Sequence, residues 1–405
     1  MKPGRGGRRG ACACLALLLL SLVSPAAQGA VIRVGPHEAV QRIADAARLA
    51  RDGDTVLIAP GIYTGDVAVW RQKSLEIRGI GPRPVVDAGG RVAEGKGIWV
   101  FVDGDFKVGN IAFRGARAHD HNGAGIRFER GRLAVSDCLF EDNQSGIVTA
   151  NFEDAELSVV DSEFRDAPRD TLSLHHLLYA GRIARLSVEG SRFHGGYQGH
   201  LLKSRARYNR IRYNLLVDGP GGQASYELEF PEAGVAEVVG NVIGQGAGSA
   251  NPVLIAYGAE GARWPENSLA LAHNTLINEG WRPALFARMW PERLPAGTRV
   301  VTRNNLTVGL GLLTLVLPGS HQGDYALPPG VLDPARLDLT LAEDSLLRGR
   351  VVAPLEAELR PMAEFRFPVG RAPLAAPARW VPGAFQRAET VLSPPAGEPP
   401  SRRRE

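Results

Sequence analysis

The feature that most constrains this chain is a short phrase that recurs eight times between residues 106 and 308. The phrase alternates apolar and other residues around a marker that is most often Asn, Ser or Cys. The markers are residues 110, 138, 162, 191, 214, 241, 274 and 305, which lie 23 to 33 residues apart. A period of this length is typical of a solenoid, and alternation with a period of two indicates strands rather than helices.

The repeat predicts an all-β fold, a right-handed parallel β-helix solenoid in which each repeat forms one coil, stacked about 4.8 Å from the next. Leucine-rich repeats have a similar period, but their Leu-x-x-Leu-x-Leu skeleton is absent. Residues 40–49 have helical apolar spacing and predict an N-terminal helical cap that covers the open edge of the first coil. The solenoid domain is predicted over residues 30–390, and residues 391–405 are predicted to be a disordered Pro- and Arg-rich tail.

The marker column is interpreted as structural. Asn tolerates the left-handed backbone of a tight bend, and stacked amide side chains can bond along the solenoid axis. Asn214 and Asn241 are therefore expected to be buried in one column. By the same argument Cys138 and Ser191 are not expected to be catalytic.

The N-terminus reads as a signal peptide, residues 1–29. Basic residues precede an apolar run over residues 11–23, and the small residues of 27–29 predict cleavage before Ala30. The apolar run is short for a stable membrane span, and an uncleaved anchor is the less favoured alternative. The protein is thus expected to be secreted or periplasmic.

Removal of residues 1–29 would change the charge and cysteine content. The whole chain has 47 basic and 43 acidic residues, and four of the basic residues lie in this segment. The mature chain would be neutral, which argues against nucleic acid as a partner. Cys138 would be the sole remaining cysteine, so no intrachain disulfide is expected.

Several segments resemble the pectate-lyase-like superfamily of right-handed parallel β-helices. These are TVLIAPGIYTGDVAV at 55–69, SLEIRGIG at 74–81, and DSLLRG with VPGAFQ at 344–349 and 381–386. The resemblance spans most of the mature chain, and it implies the fold more specifically than any activity, since one fold hosts many functions.

The segment GHLLKSRARYNRIRYNLLVDG, residues 199–219, resembles the Lys-Ser segment of β-helical lyases that cleave alginate and dermatan-type uronate polymers. The resemblance implies that Lys203 is a catalytic base. Gly196 and Gln198 stand where those enzymes carry calcium-binding glutamates, so no cofactor is firmly expected, although calcium stays possible. Glu227 and Glu229 stand where those enzymes have an arginine. The chain is more similar to uncharacterised bacterial β-helix repeat proteins with GHLLKSRA and ASYELEFP phrases.

Strand alternation independently predicts a site on one outer surface. If Leu202 and Ser204 point inward, Lys203 and Arg205 point outward, and Lys203 lies one coil from Glu229. A base, a guanidinium that grips a carboxylate and a His or Tyr acid would suit β-elimination of a uronate. The candidate catalytic residues are Lys203, Arg205, His176, His200 and Tyr179. The candidate substrate-binding residues are His175, His194, Glu227, Glu229 and Glu260.

Plainer interpretations remain open for these residues. Lys203 and Glu229 can form a surface ion pair of little energetic consequence, and His200 can be a buried core histidine. The run His119-Asp120-His121-Asn122 can bind a metal or form a polar turn, and the turn is favoured, so no metal site is predicted.

Two functions follow from the sequence. The first is a polysaccharide lyase, with a glycoside hydrolase less favoured, and the second is a non-catalytic module that binds glycan or builds surface structure. A polysaccharide is the expected partner in both, while the oligomeric state is left open. A deep groove with a perturbed Lys or His favours the enzyme, and a flat ion-paired surface favours the binder.

Overall fold

The computed structural model describes residues 1, 29–170, 173–314, 319–353, 356–375 and 379–387. Most of the predicted signal peptide and the whole predicted tail, residues 391–405, lie outside the described residues, and both stay predictions. Within the described ranges, no helix is long and apolar enough to cross a membrane.

The strands form three parallel ribbons that wind through about 10 turns of a solenoid. We name the ribbons A, B and C in the order in which each coil passes through them. Two long strands, Gly97–Gly109 and Ala124–Ser136, run through both ribbon A and ribbon B and join them into one 20-stranded sheet. The other strands of ribbon A are Ala68–Trp70, Ser145–Thr149, His176–Ala180, Leu202–Ser204, Leu228–Phe230, Val253–Tyr257, Ala284–Met289 and Gly311–Leu312.

Ribbons B and C complete each coil. The other strands of ribbon B are Val31–Val34, Thr55–Ile58, Ser74–Gly79, Glu156–Val160, Arg185–Glu189, Tyr208–Arg212, Val235–Val239, Ser268–Ala272, Arg299–Arg303 and Ser320–Gln322. The 11 strands of ribbon C are Ile62–Thr64, Val85–Asp87, Ala112–Arg114, Leu139–Glu141, Glu163–Arg165, Arg192–His194, Leu215–Val217, Val242–Gln245, Thr275–Asn278, Leu306–Val308 and Tyr325–Leu327.

A few elements lie outside the ribbons. Ala363–Phe365 and Arg371–Pro373 form an antiparallel pair, and the short 3-10 helices are Pro291–Arg293, Pro334–Arg336 and Ala357–Leu359. The α-helix Ile43–Leu49 lies where the apolar spacing predicts one, and the N–H groups of Ile43 and Ala44 donate to Asp66. That this helix caps the first coil stays a prediction.

The core is built from side chains that repeat at one position from coil to coil. Phe113, Phe140, Phe164 and Phe193 occupy matching positions in ribbon C, and their rings stack at 5.2, 4.6 and 4.6 Å. All four are almost fully buried. Parallel pairing in register therefore gives the interior a continuous apolar column, as a solenoid requires.

The marker column forms a buried hydrogen-bond ladder between ribbons B and C. Oδ1 of Asn241 accepts from the main-chain N–H of Asn214 at 2.9 Å and from its side-chain amide at 3.0 Å. The same two contacts join Asn241 to Asn274 and Asn274 to Asn305. Asn214 and Asn241 are fully buried, which confirms that they share one column.

Two details of the predicted column are wrong. The left-handed backbone lies on the residue before each ladder residue, for example Tyr213 at φ 56° and His273 at φ 51°. The ladder side chain itself must point inward to reach a carbonyl of the preceding coil, as Asn241 does with Ile211. Asn110 is one residue out of register, because Ala112 pairs with Leu139 and so Ile111 takes the position of Cys138.

We predict that Asn241→Ala lowers the free energy of unfolding by about 2–4 kcal/mol, because two buried N–H donors lose their acceptor. Asn122→Ala, in the exposed 119–122 turn, is the matched control and is expected to change little. Urea unfolding of both variants measures the difference. Equal stability of the two variants would contradict the ladder's role.

Candidate functional site

Ribbon A places Tyr179, Lys203 and Glu229 side by side on three successive coils. The neighbouring positions, Leu178, Leu202 and Leu228, pair in the same register and are fully buried. Since successive residues of a strand point to opposite faces, the first three side chains lie on the outer surface of the ribbon.

Lys203 and Glu229 form an ion pair with little access to solvent. Nζ of Lys203 lies 3.0 Å from Oε2 of Glu229, and the two side chains are 12% and 5% exposed. Nζ also lies 5.8 Å from the centre of the Tyr179 ring. The pair is thus more enclosed than the surface ion pair considered from the sequence, so the loss of either partner would leave a costly buried charge.

Two histidines extend this contact. Nδ1 of the buried His200 lies 3.0 Å from the same Oε2 of Glu229. Burial opposes ionisation of Glu229, but His200 and Lys203 outweigh it and hold the pKa of this carboxyl below its usual value. The main-chain N–H of His200 donates to Nδ1 of His176 at 3.0 Å, so the ring proton of neutral His176 lies on Nε2. Burial, then the nearby His200 and Lys203, hold the pKa of His176 well below its usual value.

Arg205 connects the tyrosine to two glutamates. Its Nε donates to Oη of Tyr179 at 2.9 Å, and its terminal nitrogens donate to Glu260 at 2.6 and 2.8 Å and to Glu232 at 2.6 Å. Glu232 also accepts from Nε of Arg182 at 2.7 Å. Burial opposes ionisation of Glu232, but the two arginines lower its pKa below the usual value.

Glu232 and Arg182 are missed by the sequence reasoning because they lie in turns, outside the strand alternation. A signal for Glu232 was nonetheless present. It follows Arg205 by 27 residues, about the same one-coil spacing, 26 residues, that separates Lys203 from Glu229.

These contacts define what we call the ion-paired cluster, made of Arg182, Lys203, Arg205, Glu229, Glu232 and Glu260. It contains three cations and three carboxylates, and each has an opposite charge within 4.0 Å. Glu260 is the most exposed of the three acids, at 47%. A ligand carboxylate would therefore reach Arg205 and Lys203 most readily by displacing Glu260.

Three of the predicted substrate-binding residues lie away from this outer surface. Glu227 is wholly buried. The strand begins only at Leu228, so the predicted alternation does not extend back to Glu227. The buried His175 pairs with Asp170 at 2.8 Å, and it too lies just before its strand begins. His194 lies in ribbon C, where Nε2 is 2.9 Å from Glu163.

The 119–122 segment forms a turn, closed by a hydrogen bond of 3.1 Å from the N–H of Asn122 to Asp120. Among the described residues, no group of three or more His, Cys, Asp or Glu side chains could hold a metal ion. A calcium requirement is not tested by these contacts.

The fold and the outer cluster together define a right-handed parallel β-helix with a charged patch on one ribbon. The structure is similar to a solved structure described as pectate lyase Pel9A, with a TM-score of 0.58. The match covers 89% of this chain and 97% of that one at 12% identity, so it shows the fold alone. No family model and no curated protein matches the sequence.

Glu227 and Asp218 are two further acidic residues, and both are buried. Neither carboxylate oxygen of Glu227 has a hydrogen-bond partner in the described part of the chain. Burial, then Asp218, raise the pKa of Glu227 well above its usual value. Burial also raises the pKa of Asp218 from 3.8 to about 6. Both carboxyls are thus more easily protonated in the folded chain than in the unfolded chain.

We predict that Glu227→Gln stabilises the protein at pH 8. A carboxyl with a raised pKa in the folded state contributes most stability at low pH, and this is lost as pH rises above the unfolded value. Glutamine is neutral at every pH, so Glu227→Gln should be more stable than wild type at pH 8, and the difference should grow as the pH rises from 4 to 8.

Unfolding of Glu227→Gln should therefore be compared with wild type at pH 4 and pH 8. The difference should shrink at pH 4, and the exposed Glu266→Gln variant should show no such trend. A destabilised Glu227→Gln protein at pH 8 would argue against the protonated interior carboxyl.

Proposed function

We propose that the protein binds an acidic polysaccharide along the outer surface of ribbon A and cleaves it by β-elimination, as a uronate-polymer lyase does. The observation that carries the proposal is the placement of Tyr179, Lys203 and Arg205 together on one outer surface. The similarity in fold to a protein named as a pectate lyase supports a polymer of this class. Such a role would place the protein outside the cytoplasm, in agreement with the predicted signal peptide.

β-Elimination of a uronate consists of four changes. A proton leaves C5, the C4–O bond breaks, a C4–C5 double bond forms, and the departing oxygen takes up a proton. Negative charge develops on the carboxylate as the C5 proton leaves, and fixed cations stabilise it. Lys203 and Arg205 are cations on adjacent positions of this surface and suit that role.

Tyr179 is the group that we assign to proton transfer. Arg205 donates to its Oη at 2.9 Å and holds this oxygen in place, and in its ionised form Oη can accept the C5 proton and return it to the departing oxygen. Lys203, as an ammonium ion paired with Glu229, has no lone pair with which to accept a proton. This assignment replaces the base role that the family resemblance implies for Lys203.

The histidines fit supporting roles. Nδ1 of His176 is occupied by the N–H of His200, which leaves its Nε2–H as a hydrogen-bond donor. His200 contacts Glu229 and helps to hold that carboxylate against Lys203. We therefore assign both histidines to positioning the side chains of the outer surface.

A second candidate is a non-catalytic glycan-binding protein. The observation that favours it is the complete pairing of the cluster, in which each cation already has a carboxylate partner. Such a surface can recognise a polymer without moving a proton.

We predict that purified protein releases unsaturated ends, seen as new ultraviolet absorbance, from a uronate-containing polysaccharide. Tyr179→Phe should reduce turnover by about 100-fold or more, because proton transfer by a positioned group contributes about 10²–10⁴-fold. Binding of the polymer should be nearly unchanged. Tyr208→Phe is the matched control, because it removes a hydroxyl that donates to the exposed Glu266.

Full turnover by Tyr179→Phe would reject its assigned role. Polymer binding with no new absorbance from any uronate polymer would favour the non-catalytic candidate.

We also predict that Glu260→Gln binds oligogalacturonate about two- to fivefold more tightly, because the ligand no longer displaces a half-exposed ion pair worth up to about 1 kcal/mol. Isothermal titration measures the affinity, with the exposed Glu266→Gln as control. Weaker binding by Glu260→Gln would mean that this carboxylate contacts the ligand directly, as the sequence suggested.

A further inference from the structure

An exposed tryptophan lies at the edge of the same ribbon. Trp281 precedes the ribbon A strand Ala284–Met289 and is 75% exposed. In the outer row of the ribbon, Lys203 is followed by Glu229, Ala256 and Arg288 on successive coils. Trp281 is thus on the coil three steps beyond Lys203, about 14 Å along the solenoid axis.

Trp281 borders a small cleft of about 170 Å³. This volume is below that of a typical drug-sized pocket, so the cleft suits a single sugar ring. Its lining is mainly polar or small, and it includes Gln245 and Arg282 beside Trp281.

Gln245, one of the residues that line the cleft, has a buried side-chain oxygen without a partner among the described residues. Gln245 is 3% exposed, and its side-chain nitrogen donates to Oδ1 of Asn278 at 2.9 Å. Its Oε1 accepts no hydrogen bond from any residue that the structure describes. A buried acceptor without a donor is unfavourable, so a hydroxyl group that reached Oε1 from the cleft would be bound favourably.

Arg282 supplies a cation with no carboxylate partner in the part of the chain that the structure describes. Its guanidinium lies 5.0 Å from the centre of the exposed Trp281 ring, so a positive charge and an aromatic surface lie next to each other at the cleft. No carboxylate among the described residues lies within 4.0 Å of Arg282, in contrast to Arg205 and Lys203. An anionic ligand can therefore reach Arg282 without displacing an internal partner.

We propose that this cleft binds one uronate residue of the polymer held by the ion-paired cluster. The apolar face of the sugar ring lies on Trp281, its carboxylate contacts Arg282, and a hydroxyl donates to Oε1 of Gln245. The inference rests on the proposed function, because it needs the same acidic polysaccharide, and it adds a second point of attachment about three coils away.

The test is a titration of the full chain with oligogalacturonates from the disaccharide to the octasaccharide. Wild-type affinity should rise steeply once the chain is long enough to span the distance between the cluster and Trp281. Trp281→Ala should weaken binding of the long chains about three- to tenfold and leave the short chains unchanged. Leu346→Ala, which also removes an exposed apolar side chain, is the control.

The charge is tested separately with Arg282→Gln, which should also weaken binding of the long chains. Arg210→Gln, on ribbon B and paired with Glu189, is its control.

Two outcomes would overturn the inference: wild-type affinity that does not rise with chain length, or long-chain affinity of Trp281→Ala equal to that of Leu346→Ala. The titration reads binding alone, so a wild-type protein without turnover would reject the lyase assignment and leave this test intact. Normal turnover with unchanged affinity in Trp281→Ala would reject the cleft alone.

Discussion

The fixed register between successive coils is the constraint on which the rest of the structure depends. A slip of one residue in a parallel pair would move every outward side chain to the interior. The ladder from Asn214 to Asn305 makes such a slip costly, because each buried amide bonds at one position of the next coil. The alignment of Tyr179, Lys203 and Glu229 on the outer surface therefore depends on groups buried elsewhere in the coil.

The ion-paired cluster combines structural demands with those of the proposed function in the same residues. Glu229 is nearly buried, and Lys203 and His200 both contact one of its oxygens. Removal of a partner would leave a buried charge with reduced compensation, which is strongly destabilising. A substitution of Lys203 is therefore expected to affect stability. Conservative substitutions of Tyr179 and Glu260 are better suited to testing activity without a loss of stability.

The sequence predicted those features that repeat or alternate locally. The recurring phrase located the coils and the ladder residues, and alternation within the short strand Leu202–Ser204 placed Lys203 on the outer surface. The same rule failed for Glu227, because the strand begins one residue later. His194 lies within one coil of Lys203 along the chain, yet a coil passes through three ribbons and His194 lies in ribbon C.

Features that depend on turns could not be derived in the same way. The turn residues Glu232 and Arg182 complete the cluster through contacts one and two coils away, which no local pattern fixes. In each bend the left-handed backbone lies one residue before the position that the sequence predicts. The sequence does not show which of two adjacent residues points inward.

The most direct test of the account is amide hydrogen exchange with and without a long oligogalacturonate. The account predicts that the ligand slows exchange in segments 199–206 and 226–232 on ribbon A and leaves Tyr208–Arg212 on ribbon B unchanged. Protection confined to ribbon B, or no protection of either ribbon A segment by a ligand that binds, would contradict it.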